Sequence, residues 1–230
     1  MENLKFKFIN LSNDVLEPNN IESIVEQTGC DYISISKEQL EEQESITCCK
    51  NLIFMLPLGE ADELCQYEAS LCKLDSEEHH IIIVFFGDEA QRSKYGYNLL
   101  FENVIIKTEE LGNFIRYLET ISKEGFISFG AEEFWGQIRG KQNMFFLHGD
   151  GCDVVSALNS LMSNINDEAH EIEKSKNFVL SIHSHAEASC ADFELISNMI
   201  SRIIPDSSEI IWSAVLEESM CGYEIGLLYG

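Results

Sequence analysis

The chain has 230 residues, 45% of them hydrophobic and 24% charged, with only 3 prolines, a composition that fits an ordered globular protein with one large core or two smaller ones. Its 40 acidic and 15 basic side chains give a formal charge of −25, spread over both halves. Such a surface repels nucleic-acid phosphates and anionic lipid headgroups, so neither nucleic acid nor direct membrane binding is expected, and the acidity itself reads as a solvated face. No apolar run reaches the roughly 18 residues of a membrane span, and the opening MENLKFKFINLSND has no signal-like apolar stretch, so a cytoplasmic protein is expected. The eight cysteines form no CxxC pair and sit mostly in apolar runs, which predicts buried free thiols in place of disulfides or a zinc site.

In chain order, short β-branched runs alternate with helical patterns, as in a largely parallel α/β sheet. Strands are predicted at Leu4–Ile9, Asp31–Ile35, Asn51–Leu56, His80–Phe86 and Asn103–Ile106, with helices at Asn20–Thr28 and Ala61–Leu74 between them. From Thr108 to Lys123, Leu111, Phe114, Ile115, Leu118 and Ile121 share one helical face, and Gly125 is placed to end the helix. There follow a strand Asn143–Leu147, a Gly149-Asp150-Gly151 turn, a helix from Asp153 to about Ile165, and a strand Phe178–Ile182. A helix Ala191–Ile204 is stopped by Pro205, and strands Glu209–Leu216 and Tyr223–Tyr229 close the chain.

The last of these segments resemble a known family. Ile203-Ile204-Pro205-Asp206-Ser207-Ser208-Glu209-Ile210-Ile211-Trp212-Ser213-Ala214-Val215 is similar to the segment DPDANIIFGAVID of the cell-division protein FtsZ. Met220-Cys221-Gly222-Tyr223-Glu224-Ile225 resembles the MGDEIRVTVIA end of that family, and His148-Gly149-Asp150-Gly151 stands where it has MGIGEA. Gly29 to Leu40 looks like GVEFIAVNTDAQAL, and Gly125-Phe126-Ile127-Ser128-Phe129 looks like its GLINVD loop. The chain thus resembles a shortened, degenerate member of the FtsZ/tubulin superfamily, with less sequence between Leu40 and Lys50 and around Gly87 to Asn103. The resemblance implies a tubulin/FtsZ-like α/β fold: an N-terminal Rossmann-like parallel sheet over residues 1–107, a central helix over 108–124, and a smaller C-terminal α/β domain over 125–230.

That family cradles the GTP phosphates in a run such as GGGTGTG, because glycine lets successive backbone N–H groups approach the phosphates at a helix N-terminus. The matching stretch here, Phe54 to Leu64, keeps one glycine, Gly59, and adds Glu60, Asp62 and Glu63. Those acids oppose a triphosphate by charge, or simply occupy the first turn of a helix whose dipole favours them. Asn10 to Asp14 replaces a second glycine cluster, and Ser36-Lys37-Glu38 replaces the NTD contact. Hydrolysis in the family also uses an NxDxxD loop from the neighbouring subunit, which here becomes Ser128-Phe129-Gly130-Ala131-Glu132-Glu133, so that Glu133 is the acid that remains. His79-His80, His148 and His183-x-His185 lack a second pair at ligand spacing, and no metal is expected.

The expectation is therefore an FtsZ/tubulin-like pseudo-GTPase without cofactor. It would act by self-association or by binding a filament-forming relative, in cell division or cytoskeletal assembly. Phe126, Phe129, Phe134 and Trp135 are the candidate interface, since aromatics are favoured at interface cores and the family docks its next subunit there; packing inside the fold is the competing explanation for two of them. The alternative is a residual GTP-binding protein or slow GTPase whose loops use other residues.

Overall fold

The computed structural model describes residues 4–11, 31–34, 40, 46, 49–58, 64–76, 79–87, 101–141 and 143–230. It divides into two units, Leu4–Glu119 and Thr120–Gly230.

In the N-terminal unit, five strands run parallel: β1 (Phe6–Asn10), β2 (Asp31–Ser34), β3 (Asn51–Pro57), β4 (His80–Gly87) and β5 (Glu102–Lys107). Their order is β2-β1-β3-β4-β5, with Phe8 opposite Ile53, Ile53 opposite Ile82 and Val84 opposite Val104. Leu52 to Leu56 and Ile81 to Phe86 are buried without alternation, as expected of strands covered on both faces. Helix α1 (Glu68–Ser76) starts later than its sequence pattern suggests, while Leu64, Tyr67, Leu71 and Leu74 supply the buried stripe at helical spacing. The predicted helix at Asn20–Thr28 lies outside the described residues.

Helix α2 (Leu111–Ser122) follows a single 3-10 turn at Thr108–Glu110 and buries Leu111, Phe114, Ile115, Leu118 and Ile121. The division between the units falls within this helix. Gly125 does not cap it. A Cβ at Gly125 would lie 2.3 Å from the Ala214 carbonyl oxygen, so the glycine serves a close backbone approach.

The C-terminal unit contains α3 (Ala131–Ile138), β6 (Met144–Gly151), α4 (Val154–Ile172), β7 (Asn177–His185), α5 (Cys190–Ile200), β8 (Glu209–Glu217) and β9 (Tyr223–Tyr229). Its strands are ordered β6-β9-β7-β8, with β9 antiparallel to both neighbours and β7 parallel to β8. The Gly149-Asp150-Gly151 turn expected from sequence is instead the end of β6, paired with Ile225, Glu224 and Tyr223. These glycines serve packing: a Cβ on Gly149 would come within 2.4 Å of the Leu161 nitrogen, and one on Gly151 within 2.4 Å of the Ala157 nitrogen. Helix α4 therefore lies directly on the strand.

Asp153 caps α4 by accepting from the Ser156 N–H at 2.8 Å, and Ser156 Oγ accepts the Asp153 N–H at 3.1 Å. The helix continues past Ile165 because Ile172 carries the apolar stripe another two turns. Ser189 caps α5, which ends at Ile200, four residues before the proline-limited end expected from sequence. The thiol expectation is corrected: Cys65, Cys72, Cys152, Cys190 and Cys221 are exposed and Cys49 is half-buried, none of these six in a disulfide. They fall on helix faces and turns that the apolar context of the sequence does not reveal; Cys30 and Cys48 lie outside the described residues.

Candidate functional site

The carboxyl ends of parallel strands are where an α/β sheet ordinarily opens its ligand crevice. In the N-terminal unit the described residues there include the polar Asn10, Ser34 and Lys107 at the ends of β1, β2 and β5, while those after β1 and β3 are mainly apolar and buried. Leu11, one residue past β1, donates its N–H to the Met55 carbonyl at 3.1 Å and packs in one core cluster with Leu56, Leu58, Leu64 and Tyr67. The Tyr67 hydroxyl donates to the Leu11 carbonyl at 3.5 Å. The phosphate-loop position Gly59, the acids Glu60, Asp62 and Glu63, residues 12–14, and Ser36-Lys37-Glu38 lie outside the described residues.

The second candidate region, Gly125 to Trp135, is fully described. Ile127 pairs with Ala214 across an antiparallel bridge, accepting the Ala214 N–H at 2.8 Å and donating to its carbonyl at 3.2 Å. The chain from Gly125 to Ile127 is thus laid against β8. Phe126 stands out from it, 62% exposed, with one face stacked on Phe193 at a centroid separation of 5.9 Å. Ser128 is exposed as well.

The remaining aromatics divide. Phe129 is half-buried and stacks on Phe134 at 6.3 Å with rings 4° apart, while Phe134 meets Trp135 edge to face at 5.4 Å. Phe134 and Trp135 are 0% and 5% exposed. Of the four candidate interface residues, these two face the core and only Phe126 is openly presented. The reason is helix α3, which stands where the sequence predicts a loop: Phe134, Trp135 and Ile138 at i, i+1 and i+4 form its buried stripe.

Glu133, the acid remaining from the NxDxxD pattern, sits at the third position of α3. Its Oε2 accepts the Gly130 N–H at 2.6 Å, which places its charge at the positive end of that helix. Gly130 followed three residues later by Glu133 is the capping signal that sequence reasoning passed over.

A polar cluster that the sequence also left unassigned lies beside this loop. His183 on β7 stands opposite Glu224 on β9; its Nε2 is 2.9 Å from Glu217 Oε2 at the end of β8, and its Nδ1 is 3.9 Å from Glu224 Oε2. Lys123 Nζ reaches the same Glu217 oxygen at 3.3 Å, and Ser219 Oγ donates to Glu217 Oε1 at 2.9 Å. Glu224 first and Glu217 second raise the His183 pKa against the opposing effect of burial. Glu217 is lowered by the Ser219 hydroxyl and by His183. The cluster fastens the chain after α2 to the ends of three strands.

Nearby, Tyr223 donates its hydroxyl to Asp192 Oδ2 at 2.9 Å, and burial together with that bond pushes the phenol up to about 12. Asp192 is lowered chiefly by the Ser189 N–H it accepts in capping α5. His185 meets the Tyr223 ring edge to face at 5.2 Å. These groups are committed to one another and to a helix cap. Among the described residues no three His, Cys, Asp or Glu side chains converge as metal ligands, and no helix is long and apolar enough to cross a membrane.

The arrangement, a parallel sheet followed by a helix and a smaller mixed sheet, defines a two-unit α/β fold. Solved structures specify it further. An empty FtsZ dimer from M. jannaschii matches with a TM-score of 0.73 at 10% identity, covering 98% of this chain and 87% of that one. CetZ1 from Haloferax volcanii, solved as a GDP-bound monomer, matches at 0.67 and 10% identity over 98% of this chain and 93% of its own. TubZ from Bacillus thuringiensis serovar israelensis, in GDP-form protofilaments, matches at 0.61 and 7% identity over 98% and 83%. No protein-family model matches the sequence, and no curated protein does. The chain has the FtsZ/tubulin-like fold, established by structure at identities where sequence comparison is silent.

Proposed function

We propose that this protein is an FtsZ/tubulin-fold pseudo-GTPase that acts by associating with itself or with a filament-forming relative, in cell division or cytoskeletal assembly. The observation that carries the reading is the replacement of the glycine phosphate loop by the stretch Phe54 to Leu64, which keeps one glycine, Gly59, and adds the acids Glu60, Asp62 and Glu63. Two unit charges of like sign at 4 Å repel by about 4 kcal/mol at an effective dielectric near 20, so these residues do not fit a triphosphate held in the family manner. The commitment of Glu133 to the cap of α3 supports the same reading from the other half of the site, because a capping carboxylate is not free to polarise a water.

The structural neighbours include an FtsZ dimer and protofilaments of CetZ2 and TubZ, so association is what this fold does in those proteins. Phe126 is the residue through which we expect this chain to associate, since an exposed phenylalanine held on a fixed loop loses little entropy on binding. Phe129, half-buried, is the second residue of the expected surface. Sedimentation velocity across concentration, run on the parent and on Phe126→Asp and Phe129→Asp, tests the assignment. A mass increase with concentration that the Phe126→Asp variant loses while remaining folded supports the reading. Association unchanged in both variants counts against the surface.

A further inference from the structure

β8 is an edge strand of the C-terminal sheet, and only part of that edge is covered. The N–H and C=O of Ala214 point away from β7, because both are bonded to Ile127. With a period of two, Ile210, Trp212 and Leu216 point the same way, while Glu209 points inward, donating its N–H to the Lys176 carbonyl beside β7. The chain from Lys123 to Ile127 lies along the Leu216 and Ala214 portion. Beyond Ile127 it leaves the ladder and enters α3 after Gly130, a helix that packs against β7 and β8. Among the described residues, the outward N–H and C=O groups of Ile210 and Trp212 have no backbone partner.

The side chains add to this. Ile210 is 37% exposed and Ile211 and Trp212 are half-buried, so the open stretch reads Glu209-Ile210-Ile211-Trp212 and has neither proline nor lysine to block pairing. Natural edge strands are usually blunted by such residues. Here the blunting stops at Ala214.

We propose that the Ile210–Trp212 edge of β8 is a docking site for an extended, basic segment of a partner protein, which adds a strand antiparallel to β8 and continues the ladder that Ile127 begins. The antiparallel Ile127–Ala214 bridge fixes the direction. Charge selects the partner: Asp206, Glu209 and Glu218 flank the stretch on a chain of net −25, with Lys176 the basic residue whose backbone meets Glu209. Joining two copies along β8 would bring two such chains together, whereas lysine or arginine at alternate positions of an added strand meets the field favourably. This surface is distinct from Phe126 and does not depend on the loss of nucleotide binding.

The probe is a fluorescein-labelled peptide of alternating valine and lysine, about nine residues long to match a strand, with a version N-methylated at alternate amides as its partner. Anisotropy titrations use the full chain, Ile210→Pro and Ile210→Lys. Proline at 210 removes an outward N–H without touching the β7 ladder, and lysine keeps the backbone while adding like charge to the probe. Expected are saturable binding by the parent, a loss of tenfold or more with the methylated peptide and with each variant, and amide exchange at Ile210 and Trp212 slowed tenfold or more by the peptide. No binding of the unmodified peptide, equal binding of the methylated one, protection that falls elsewhere, or a concentration-dependent dimer of the free chain that Ile210→Pro abolishes would each overturn the proposal.

Discussion

Glu133 Oε2 lies 2.6 Å from the backbone nitrogen of Gly130, so this carboxylate, from the third position of α3, caps the start of its own helix. Removing it should weaken α3. Glu133→Ala is expected to cost about 1 kcal/mol, the usual worth of a capping contact, and Glu133→Gln less, because an amide oxygen also accepts the bond. Urea unfolding midpoints of the three proteins check the ranking.

Burial separates the aromatics of the same region. Phe134→Ala empties a fully enclosed site and should destabilise the protein by roughly 3 to 5 kcal/mol, whereas Phe126→Asp, on an exposed side chain, should change stability by about 0.5 kcal/mol or less. Denaturant unfolding read alongside sedimentation distinguishes the two: stability moves in the first, association in the second.

The close approach of α4 to β6 makes Gly149 intolerant of a side chain. Alanine there meets the Leu161 nitrogen at 2.4 Å and the Ala157 oxygen at 2.6 Å, both backbone atoms that cannot turn aside. Gly149→Ala should destabilise by about 1 to 3 kcal/mol, the range of overpacking. Gly136→Ala is the control, since its Cβ meets nothing within 4 Å; thermal melts of the pair give the comparison.

His183 predicts a pH dependence with a defined sign. Its folded pKa is raised above 6.5 by Glu224 and Glu217, so its contribution is fully present below that value and is lost as pH rises through the folded pKa. Glu217 is lowered, so its contribution is present above the ordinary glutamate range and is lost as pH falls through the folded pKa. The network is therefore strongest in mildly acidic solution, between the two. His183→Gln should lower the melting temperature more at pH 6 than at pH 8, and an NMR titration of the His183 ring should give a midpoint above that of a free histidine.

The strands were legible in sequence because both sheets are rich in continuous apolar runs. The limits of all nine described strands lie no more than four residues from those expected, and Tyr223–Tyr229 coincides. What sequence concealed depended on contacts distant along the chain. Gly149 and Gly151 have the look of a turn until α4 is placed against them, and Gly125 has the look of a helix stop until Ala214 is found beside it. Helix α3 was hidden by its glycine cap and by aromatics that read as surface in a loop and as core in a helix. The His183 cluster was out of reach because Lys123, Glu217 and Glu224 meet only through strand register. The family resemblance in the C-terminal segments did point to the fold, since it rested on the order of elements, which structure retains at 7 to 10% identity.

The loss of the nucleotide cycle is the central claim, and isothermal titration of the full chain with GTP, GDP and ATP in the presence of magnesium tests it most directly. The account predicts no saturable heat up to millimolar nucleotide. Binding at micromolar nucleotide, with any release of phosphate from GTP, would contradict it.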